Sequence, residues 1–432
     1  MADLRTVSNT VKELIEKKKI NKAHYTVLET ETRELTYEGG DVKLLRTLFD
    51  RKVNVKLIQD GKLGSSGIND FNEKAIDKAL DEALAAAEAG APDDAYDIAP
   101  SIGEQSFSSG VLEPDMGKLI ERTIELAKDI EKQYPKILVM TMIAEYSRVN
   151  KIYRNTNGSE AEIKTGNYSV VVEFAGNDGN KTTGISAVSA ETLSLDKPFI
   201  EIDSFREGLK AGEDSLNETG FEGKFEGKVI FTPDCLGQVL SFCANCFITD
   251  DAILDPSSLW NGKIGEKVAS DCLTIKLAPS DDRIIGKGFV TADGFREKDI
   301  SVVENGVLKN YLVSLYTSKK QNVKAAENDG NGWIIEGGDT SFEDMVKGVK
   351  RGLIVGSVSA GYPGSNAELS GVAKNAFYIE DGKIKGAVSE TMISVNLAEM
   401  LKNVAAISKE TWKTGESVLP YICFDKIVIS GK

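Results

Sequence analysis

The sequence predicts an α+β protein in which mixed and antiparallel sheets pack against helices. Three observations indicate this class. Apolar residues alternate over many short segments, as in strands with one buried face. Other segments carry apolar residues at helical spacing. Asn-Gly and Asp-Gly pairs stand between strand-like segments, where two-residue hairpin turns need positive backbone dihedral angles. We expect an N-terminal α/β unit followed by a β-rich C-terminal unit.

The composition is that of a globular protein with substantial cores, since 41% of the 432 residues are hydrophobic. The net charge of −15 argues against binding through the nucleic-acid backbone, which needs clustered Lys and Arg. No apolar run approaches a membrane span, and the N-terminal helix pattern lacks the apolar core of a signal peptide. We therefore expect a cytoplasmic protein with no nucleic-acid or membrane partner.

Two units are expected before the C-terminal one, over residues 1–95 and 112–220. A linker rich in Pro, Gly, Ser and Asp separates them. The D-x-x-E pattern at Asp70 is typical of a helix start, and Gly90 of its end. The other expected elements are a helix at 5–19, paired strands at 25–31 with 33–38 and at 43–48 with 52–59, a helix at 116–133, a strand at 137–148, a turn at Asn157-Gly158, strands at 168–175 and 184–188, and a helix at 199–217.

The third unit, expected over 226–432, begins with a strand, a cap and a helix at 228–250. Thr232 or Asp234 can cap the helix, and Pro233 suits its first turn. One broad face of the helix is apolar, formed by Leu236, Val239, Leu240, Cys243, Cys246 and Phe247.

The remainder of this unit is predicted to be mostly β-structure. Asn305-Gly306 and Asp381-Gly382 each indicate a hairpin turn. The other expected elements are a loop at 251–263, a flexible loop at 323–339, a helix at 341–351, a strand at 353–359, a helix capped by Asn396 and a closing strand at 421–430.

Few residues offer catalytic or metal chemistry. His24 is the only histidine, which excludes a two-histidine zinc site within the chain and makes any Ser-His-Asp relay depend on this residue. Its place at the entry to a strand favours a structural role. Cys243 and Cys246 form a C-x-x-C pair, which can bind zinc or undergo redox chemistry. Because the pair lies in a predicted helix without a second pair, buried free thiols are the favoured interpretation.

Two further segments have both a functional and a plain interpretation. Asp250, Asp251 and Asp255 could bind a hard cation, but a solvated acidic loop is favoured in so acidic a chain. The glycine-rich segment 328–338 lacks the Lys-Ser/Thr of a phosphate loop. It remains either a mobile lip over a cleft or an ordinary surface loop.

Several segments, in the same order, resemble the TldD/PmbA family, also called peptidase family U62 or "modulator of DNA gyrase". The resemblance spans nearly the whole chain. Its segments are DRKVNVKLIQDGKLGSSGINDFNEKAIDKALDEALAAA (50–87), NTNGSEAEI (155–163), GKIGEKVASDCLTI (262–275), SVVENGVLKNYLVSLYTSKK (301–320), IIEGGDTSFEDMVKGVKRGLIVG (334–356) and FYIEDGKIKGAVSETMIS (377–394).

The resemblance implies a particular branch of the family. TldD-like members are zinc peptidases with an HExxxH helix and a distant cysteine ligand, whereas PmbA-like members, also called TldE, lack the motif and pair with a TldD-like subunit. In this chain Ser241 and Cys246 stand at the histidine positions, Phe242 at the glutamate and Thr411 at the cysteine. The chain thus resembles the PmbA/TldE branch, with no catalytic residue, no metal of its own and zinc in the partner, although Cys246 alone could still bind metal.

Three functions remain as alternatives, and whether the chain is itself an enzyme stays open. It is expected to be the non-catalytic subunit of a TldD/TldE-type metallopeptidase acting on unfolded peptides or small proteins, in a heterodimer with an HExxxH subunit. Alternatively, it is a homodimeric peptide-binding or scaffold protein without hydrolase activity. A hydrolase using Ser241 or Cys246 as nucleophile is disfavoured, because a single histidine is available to activate either residue.

Overall fold

The computed structural model of the protein describes residues 3–431. The first half of this range combines strands with helices, as the sequence predicts. Its elements are α1 (Leu4–Lys17), β1 (Lys22–Glu38), β2 (Asp41–Gln59), β3 (Lys62–Ile68), α2 (Glu73–Ala89), β4 (Glu104–Gly110), α3 (Met116–Gln133), β5 (Ile137–Asn155), β6 (Glu160–Gly176), β7 (Ser186–Thr192), a 3-10 turn (Phe199–Glu201) and α4 (Phe205–Asp214).

These seven strands form one sheet, in the order β3-β2-β1-β5-β6-β4, with β7 on the other half of the β6 edge. Only β4 and β6 run parallel in the sheet. Alternate apolar side chains point to one face, where α1 and α2 cover Val27 and Val53, and α3 covers Leu35. The pairing of β1 with β5 joins strands of the first two predicted units in one sheet. The division of the chain into three units stays a prediction.

Two local predictions for this half were wrong. The four short strands expected between residues 25 and 59 are two long ones, because no turn interrupts either and the chain reverses at Gly39-Gly40, which both have positive φ. The expected helix at 199–217 is a 3-10 turn followed by α4. Asp203 lies between them with φ of 51°, a left-handed conformation that a helix cannot accommodate.

The second half is richer in strands. Its elements are β8 (Gly223–Phe231), α5 (Pro233–Phe247), α6 (Asp250–Leu254), β9 (Ile275–Leu277), β10 (Ile300–Glu304), β11 (Val307–Leu308), α7 (Leu315–Gln321), β12 (Trp333–Ile334), α8 (Phe342–Lys347), β13 (Arg351–Ala360), β14 (Glu368–Glu380), β15 (Lys383–Val388), β16 (Met392–Asn396), α9 (Leu397–Lys402), β17 (Val404–Lys413) and β18 (Ser417–Gly431).

These strands form an eleven-stranded sheet in the order β11-β10-β9-β12-β18-β16-β14-β13-β8, with β15 on β14 and β17 on β18. Because β18 also pairs with β8, five of the strands close into a ring. Val229, Phe231, Leu353 and Phe424 from this ring share one apolar core with α5. The ring therefore fixes α5 by burying its apolar face.

The predicted hairpin turns and the last helix cap are confirmed. Asn305-Gly306 and Asp381-Gly382 all have positive φ, as a two-residue turn of this type requires. Asn396 accepts hydrogen bonds from the backbone N–H groups of the first turn of α9. One prediction was wrong, since part of the expected loop at 251–263 is α6, whose first turn carries acidic residues that suit a helix N-terminus.

The architecture confirms the predicted α+β class with mixed and antiparallel sheets and a β-rich C-terminal half. Between residues 3 and 431, no helix is both long enough and apolar enough to cross a lipid bilayer.

Candidate functional site

Helix α5 forms as the sequence predicts, and its cap is Thr232. The Thr232 hydroxyl accepts a hydrogen bond from the Cys235 backbone N–H at 3.3 Å, and Pro233 occupies the first turn, where its missing N–H has no consequence. The Asp234 side chain takes no part in this cap and is exposed. The buried face of α5 includes every apolar residue expected there: Leu236, Val239, Leu240, Cys243, Cys246 and Phe247.

The four predicted site positions differ in their exposure and in their contacts. The Ser241 hydroxyl is exposed and donates a hydrogen bond to the Gly237 carbonyl within the helix, at 3.1 Å. Phe242 is buried and meets the ring of Tyr362 edge to face. Cys246 is buried, whereas Thr411 is exposed on β17. Their correspondence to a zinc site in a related protein stays a prediction.

These positions do not fit a zinc ion. Zinc in proteins is held by imidazole, thiolate or carboxylate groups, and Ser241 and Thr411 offer neutral hydroxyls. Burial raises the pKa of the Cys246 thiol, which disfavours the thiolate that binds metal. Cys243 is likewise a buried free thiol whose pKa is raised by burial. Within residues 3–431, no group of three or more His, Cys, Asp or Glu side chains could hold a metal ion together.

His24 lies in what we call the closed seam, a packed contact between the first sheet and the loop before β10. On the sheet side are His24, Lys151 and Tyr153, and across from them are Asp293 and Glu297. The Tyr153 hydroxyl donates to the Asp293 carbonyl oxygen at 3.1 Å. Burial, assisted by the nearby positive Lys56, lowers the pKa of His24 to about 4. His24 is therefore neutral at pH 7 and has a structural place.

Glu297 is the most perturbed carboxyl group of the closed seam. Its Oε1 accepts a hydrogen bond from Asn331 Nδ2 at 2.7 Å, while Oε2 is buried without a partner. Burial raises the pKa of Glu297 to about 7. Burial also lowers the pKa of Lys151 on the facing strand. Burial therefore disfavours the charged forms of both Glu297 and Lys151 at this contact between the two halves of the molecule.

A large cavity opens elsewhere between the two sheets. We call it the cleft; its volume is about 1090 Å³. None of the predicted positions Ser241, Phe242, Cys246 and Thr411 lines it, although Trp412 does. Its walls come from β7, α4, the start of α5 and the turn between β17 and β18, with Glu191, Glu207, Asp234, Trp412 and Tyr421 among the lining residues.

Two carboxyl groups line the cleft and are reached by solvent, Glu207 on α4 and Asp234 on α5. The Glu207 carboxylate interacts with its own backbone N–H and with the positive charge of Arg206, whereas Asp234 makes no side-chain hydrogen bond or ion pair within residues 3–431. Desolvation by the surrounding walls raises the pKa of each. Burial also raises the pKa of the Tyr421 hydroxyl, and the negative charges of Glu207 and Asp234 raise it further.

Aromatic side chains flank these carboxylates. The rings of Trp412 and Tyr421 meet edge to face, with centroids 6.1 Å apart, and Phe342 packs on Tyr421 at 4.4 Å. The indole nitrogen of Trp412 is buried and faces the Tyr421 hydroxyl, an interaction that lowers the pKa of Tyr421 but falls short of full hydrogen-bond geometry. The arrangement can therefore accept hydrogen bonds from a cationic group while supplying aromatic surface beside it.

Sequence reasoning missed these cleft residues. Asp234 enters the sequence prediction only as an alternative helix cap, because its position beside Pro233 suggests nothing else. Glu207, Trp412 and Tyr421 carry no local motif, and α4, β17 and β18 are far apart in the chain. Only the folded arrangement of the two sheets brings these residues together.

Comparison with known proteins places the chain in a family. Residues 27–87 match the model described as PmbA/TldA metallopeptidase domain 1, and residues 223–431 match the PmbA/TldA metallopeptidase C-terminal domain. The chain is 24% identical over 414 residues to the metalloprotease PmbA homolog of Haemophilus influenzae, an alignment that covers 88% of this chain and 87% of that protein.

Solved structures show the same fold. TldE from Thermococcus kodakarensis superposes with a TM-score of 0.83 at 19% identity, over 98% of this chain and 100% of that one. A candidate modulator of DNA gyrase from Bacteroides thetaiotaomicron gives a TM-score of 0.84 at 18% identity, over 99% of each chain. With both domain models matched in order and the fold shared along nearly its whole length, the chain belongs to the PmbA/TldD family.

Proposed function

We propose that the chain is the non-catalytic, PmbA/TldE-like subunit of a metallopeptidase complex acting on unfolded peptides or small proteins. A TldD-like partner carries the HExxxH helix, holds the zinc ion and cleaves the peptide bond. The observation that carries the proposal is the chemical character of Ser241, Phe242, Cys246 and Thr411. Together they offer neither a zinc ligand set nor a general base.

The geometry gives little support to a nucleophile in this chain. The Ser241 hydroxyl is engaged with the Gly237 carbonyl, and no base contacts it within residues 3–431. The raised pKa of Cys246 keeps its thiol protonated at neutral pH. His24, the one histidine, belongs to the closed seam and lies beside Tyr153. A hydrolase built on Ser241 or Cys246 therefore lacks the activating base that the mechanism needs.

The cleft supports the peptide part of the proposal. Its volume of about 1090 Å³ is enough for several residues of an extended peptide, and its walls combine aromatic and charged side chains. The names of the relatives, which describe metalloproteases and a TldE protein, agree with a role in proteolysis.

An exposed edge strand supports assembly with a TldD-like subunit. β3 pairs with β2 only from Val53 onwards, so within residues 3–431 no strand pairs with residues 41–50 on that side. Leu45 and Phe49 on this edge are 57% and 47% exposed. A strand edge that is long, apolar and unpaired tends to associate with another chain. We propose that the TldD-like subunit covers it; a second copy of this chain there would favour the homodimeric peptide-binding or scaffold alternative.

The test is reconstitution with an HExxxH paralogue from the same organism. We expect no cleavage of an unfolded, fluorogenic peptide by either the isolated chain or an HExxxH variant of the mixture, and cleavage by the intact mixture. Ser241→Ala and Cys246→Ala should change this cleavage only modestly. If the isolated chain cleaves the peptide and either substitution abolishes that cleavage, the non-catalytic proposal is wrong.

Zinc content and mass provide separate checks. Elemental analysis of the isolated chain should find no stoichiometric zinc, and one tightly held zinc per chain would contradict the proposed division of labour. Light scattering should show at least a dimer for the mixture. A monomer that persists at micromolar concentration in the presence of the paralogue would contradict the proposed assembly.

A further inference from the structure

We propose that the outer edge of β7 binds an unfolded peptide as an added β-strand, held in the cleft by main-chain hydrogen bonds. The inference rests on the proposed function, because it takes the ligand of the cleft to be a peptide. It adds the mode of recognition, since an edge strand recognises the backbone of a peptide whatever its side chains. Cleavage of the peptide bond stays with the TldD-like partner.

The free edge of β7 borders the cleft. Within residues 3–431, β6 is the only strand that pairs with β7, so the opposite edge of β7 has no strand beside it. All the residues from 186 to 191 line the cleft. Successive side chains of a strand point to opposite faces, so a cavity that touches six consecutive residues lies along the edge of the strand.

The hydrogen bonds of β6 show which groups of β7 turn outward. Gly166 and Gly176 both direct their carbonyl oxygens to the side of β6 away from β5, where the N–H groups of Val111 and Thr183 donate to them. Backbone groups alternate in direction along an antiparallel strand, so the even-numbered residues of β6 face β7. Their partners in β7 are Ser186, Val188, Ala190 and Thr192.

The residues between these partners direct their backbone N–H and C=O groups to the free edge. They are Ala187, Ser189 and Glu191, and no other group within residues 3–431 makes a hydrogen bond to their main chain on that side. Three donors and three acceptors thus repeat about every 6.8 Å, which is the pattern that an added strand requires. Ala187 and Ser189 are exposed and have short side chains, so a second backbone can approach them closely.

Walls around the edge favour a single peptide over a strand from a folded partner. At one end, the Ser186 hydroxyl donates to Asn375 Oδ1 at 3.2 Å. At the other end, Glu191 lies so close to Gly415 that an added methyl group there would meet its carboxylate at 2.3 Å. α4 covers one face of the strand at Val188. A strand in a partner's sheet brings neighbouring strands, which these walls would obstruct, whereas an extended peptide brings none.

Asn375 is itself held in an unusual conformation beside this edge. It lies within β14 with φ of 48°, and the pairing of β13 with β14 omits both Asn375 and Gly356. Both residues line the cleft. A left-handed conformation is unfavourable for a residue other than glycine and is common where a ligand binds. The irregular point of β14 thus lies where the end of a bound peptide would reach.

Two isomeric peptides test the main-chain mode of binding. Each is an unfolded hexapeptide with three backbone N-methyl groups, placed either on the second, fourth and sixth residues or on the third, fourth and fifth. Alternate methylation leaves one edge of the peptide free to pair with β7, whereas consecutive methylation blocks both edges. The full chain is used, alone and mixed with a TldD-like partner inactivated at its HExxxH glutamate.

Fluorescence anisotropy measures the affinity for each peptide, labelled at its carboxyl end. The alternately methylated isomer should bind within a few-fold of the unmethylated peptide. The consecutively methylated isomer should bind roughly tenfold more weakly, because one or two hydrogen bonds to β7 are lost. Since the isomers have the same composition, the comparison cancels any general effect of methylation.

Ser189→Pro is the corresponding change in the protein. It removes the central outward N–H and breaks no hydrogen bond to β6, and proline is tolerated at strand edges. Ser189→Ala is the matched control, because it keeps the N–H and removes only the hydroxyl. The proline variant should bind the unmethylated peptide roughly tenfold more weakly, and the alanine variant as the wild type does. Thermal unfolding checks that both are folded, and the peptide isomers decide the proposal if the proline variant is not.

Several results would overturn the inference and leave the proposed function standing. They are equal affinities for the two isomers, equal binding by the two folded Ser189 variants, and no detectable binding of the unmethylated peptide. If Ser189→Pro instead prevents association with the TldD-like partner in light scattering, the edge is a subunit contact and the inference is wrong. The proposed function fails separately, if the mixture with active partner does not cleave the peptide.

Discussion

The closed seam and the cleft both lie between the same two halves of the molecule. They differ in how closely their polar groups are packed and in whether solvent reaches them. In the seam, Glu297 accepts a hydrogen bond from Asn331, and Tyr153 donates to the Asp293 carbonyl oxygen. In the cleft, burial raises the pKa values of Glu207 and Asp234, which solvent reaches; Asp234 has no side-chain partner within residues 3–431, and Glu207 interacts only with its own backbone N–H and the charge of Arg206.

The difference separates groups that are buried in a packed contact from carboxylates that line an accessible cavity. Packing at the seam is tight: a methyl group added to Gly294 would meet the Tyr153 hydroxyl at 1.8 Å. An accessible carboxylate in a concave place gives little stability of its own and is characteristic of binding sites. Substitutions in the seam should therefore change stability, and conservative substitutions of the cleft carboxylates should change it little.

The largest effect is expected for Tyr153→Ala in the seam. Tyr153 is fully buried against Ala161, Ile163 and Val290, and truncation leaves a cavity. We expect a loss of about 3–5 kcal/mol in the free energy of unfolding, measured by denaturant titration. Trp412→Ala is the comparison in the cleft and should cost less, because its ring is only partly buried. Equal losses of unfolding free energy in the two variants would contradict this comparison. They would mean that Trp412 contributes as much to the stability of the folded state as Tyr153 does.

Glu297→Gln should change how stability depends on pH. The pKa of Glu297 is about 7 in the folded protein against 4.5 ordinarily, so the folded state holds this proton up to higher pH than the unfolded state does. Wild-type stability should therefore fall relative to the variant as pH rises from 4.5 to about 7, and stay level above. At about 1.4 kcal/mol per pH unit, the relative change is at most about 3 kcal/mol.

The comparison with the variant also removes the opposing effect of His24. Its pKa is lowered to about 4, so by itself it makes stability fall as pH decreases from 6.5 towards 4. Since His24 is present in both proteins, its contribution cancels in the difference between them. Denaturant titrations of both proteins at several pH values measure this difference. A difference that is constant across pH 4.5 to 7 would mean that Glu297 is not protonated in the folded seam.

The fold was largely predictable because its signals are local. The strand, Thr232 cap and helix of α5, and the turns at Asn305-Gly306 and Asp381-Gly382, depend on neighbouring residues and were confirmed. The predictions that failed concern where strands and helices break or continue, and these points depend on tertiary pairing and backbone conformation. β1 runs unbroken because it has partners on both sides along its length, which no local pattern reveals. The break at Asp203 is a backbone conformation rather than a motif.

The candidate site was predictable only as far as the resemblance reached. It identified Ser241, Phe242, Cys246 and Thr411, and their lack of zinc chemistry agrees with the structure's exposed hydroxyls and buried thiol. The cleft could not be predicted, because residues such as Glu207 and Tyr421 are more than two hundred positions apart and become neighbours through the packing of two sheets.

An intermediate effect is expected where the chain turns beside the cleft, between β17 and β18. Gly415 has φ of 76°, and a methyl group there would meet the Glu191 Oε2 at 2.3 Å. Gly415→Ala should lower the free energy of unfolding by about 1–2 kcal/mol through backbone strain. Gly184→Ala is the control, because Gly184 has open space around it and lacks a positive φ. Thermal unfolding of both variants measures the contrast, and equal melting temperatures would contradict the strain argument.

The smallest effect is expected for Asp234→Asn and Glu207→Gln. Each replacement keeps the shape of the side chain and an acceptor oxygen, and the only charge within residues 3–431 that attracts either carboxylate is that of Arg206 on the exposed Glu207, so stability at pH 7 should change by less than about 0.5 kcal/mol. Folding raises the pKa of both carboxyls, so their charge slightly disfavours the folded state, and solvent screening keeps that penalty small.

Any gain in the variants should therefore appear at neutral pH and vanish in acid, where the wild-type carboxyls are protonated in both states. Denaturant titrations at pH 7.5 and at roughly pH 3.5, below the ordinary carboxyl range, measure it. If either variant instead loses more than about 1 kcal/mol, the cleft carboxylates stabilise the fold and do not merely line an accessible cavity, and the distinction between the two regions fails.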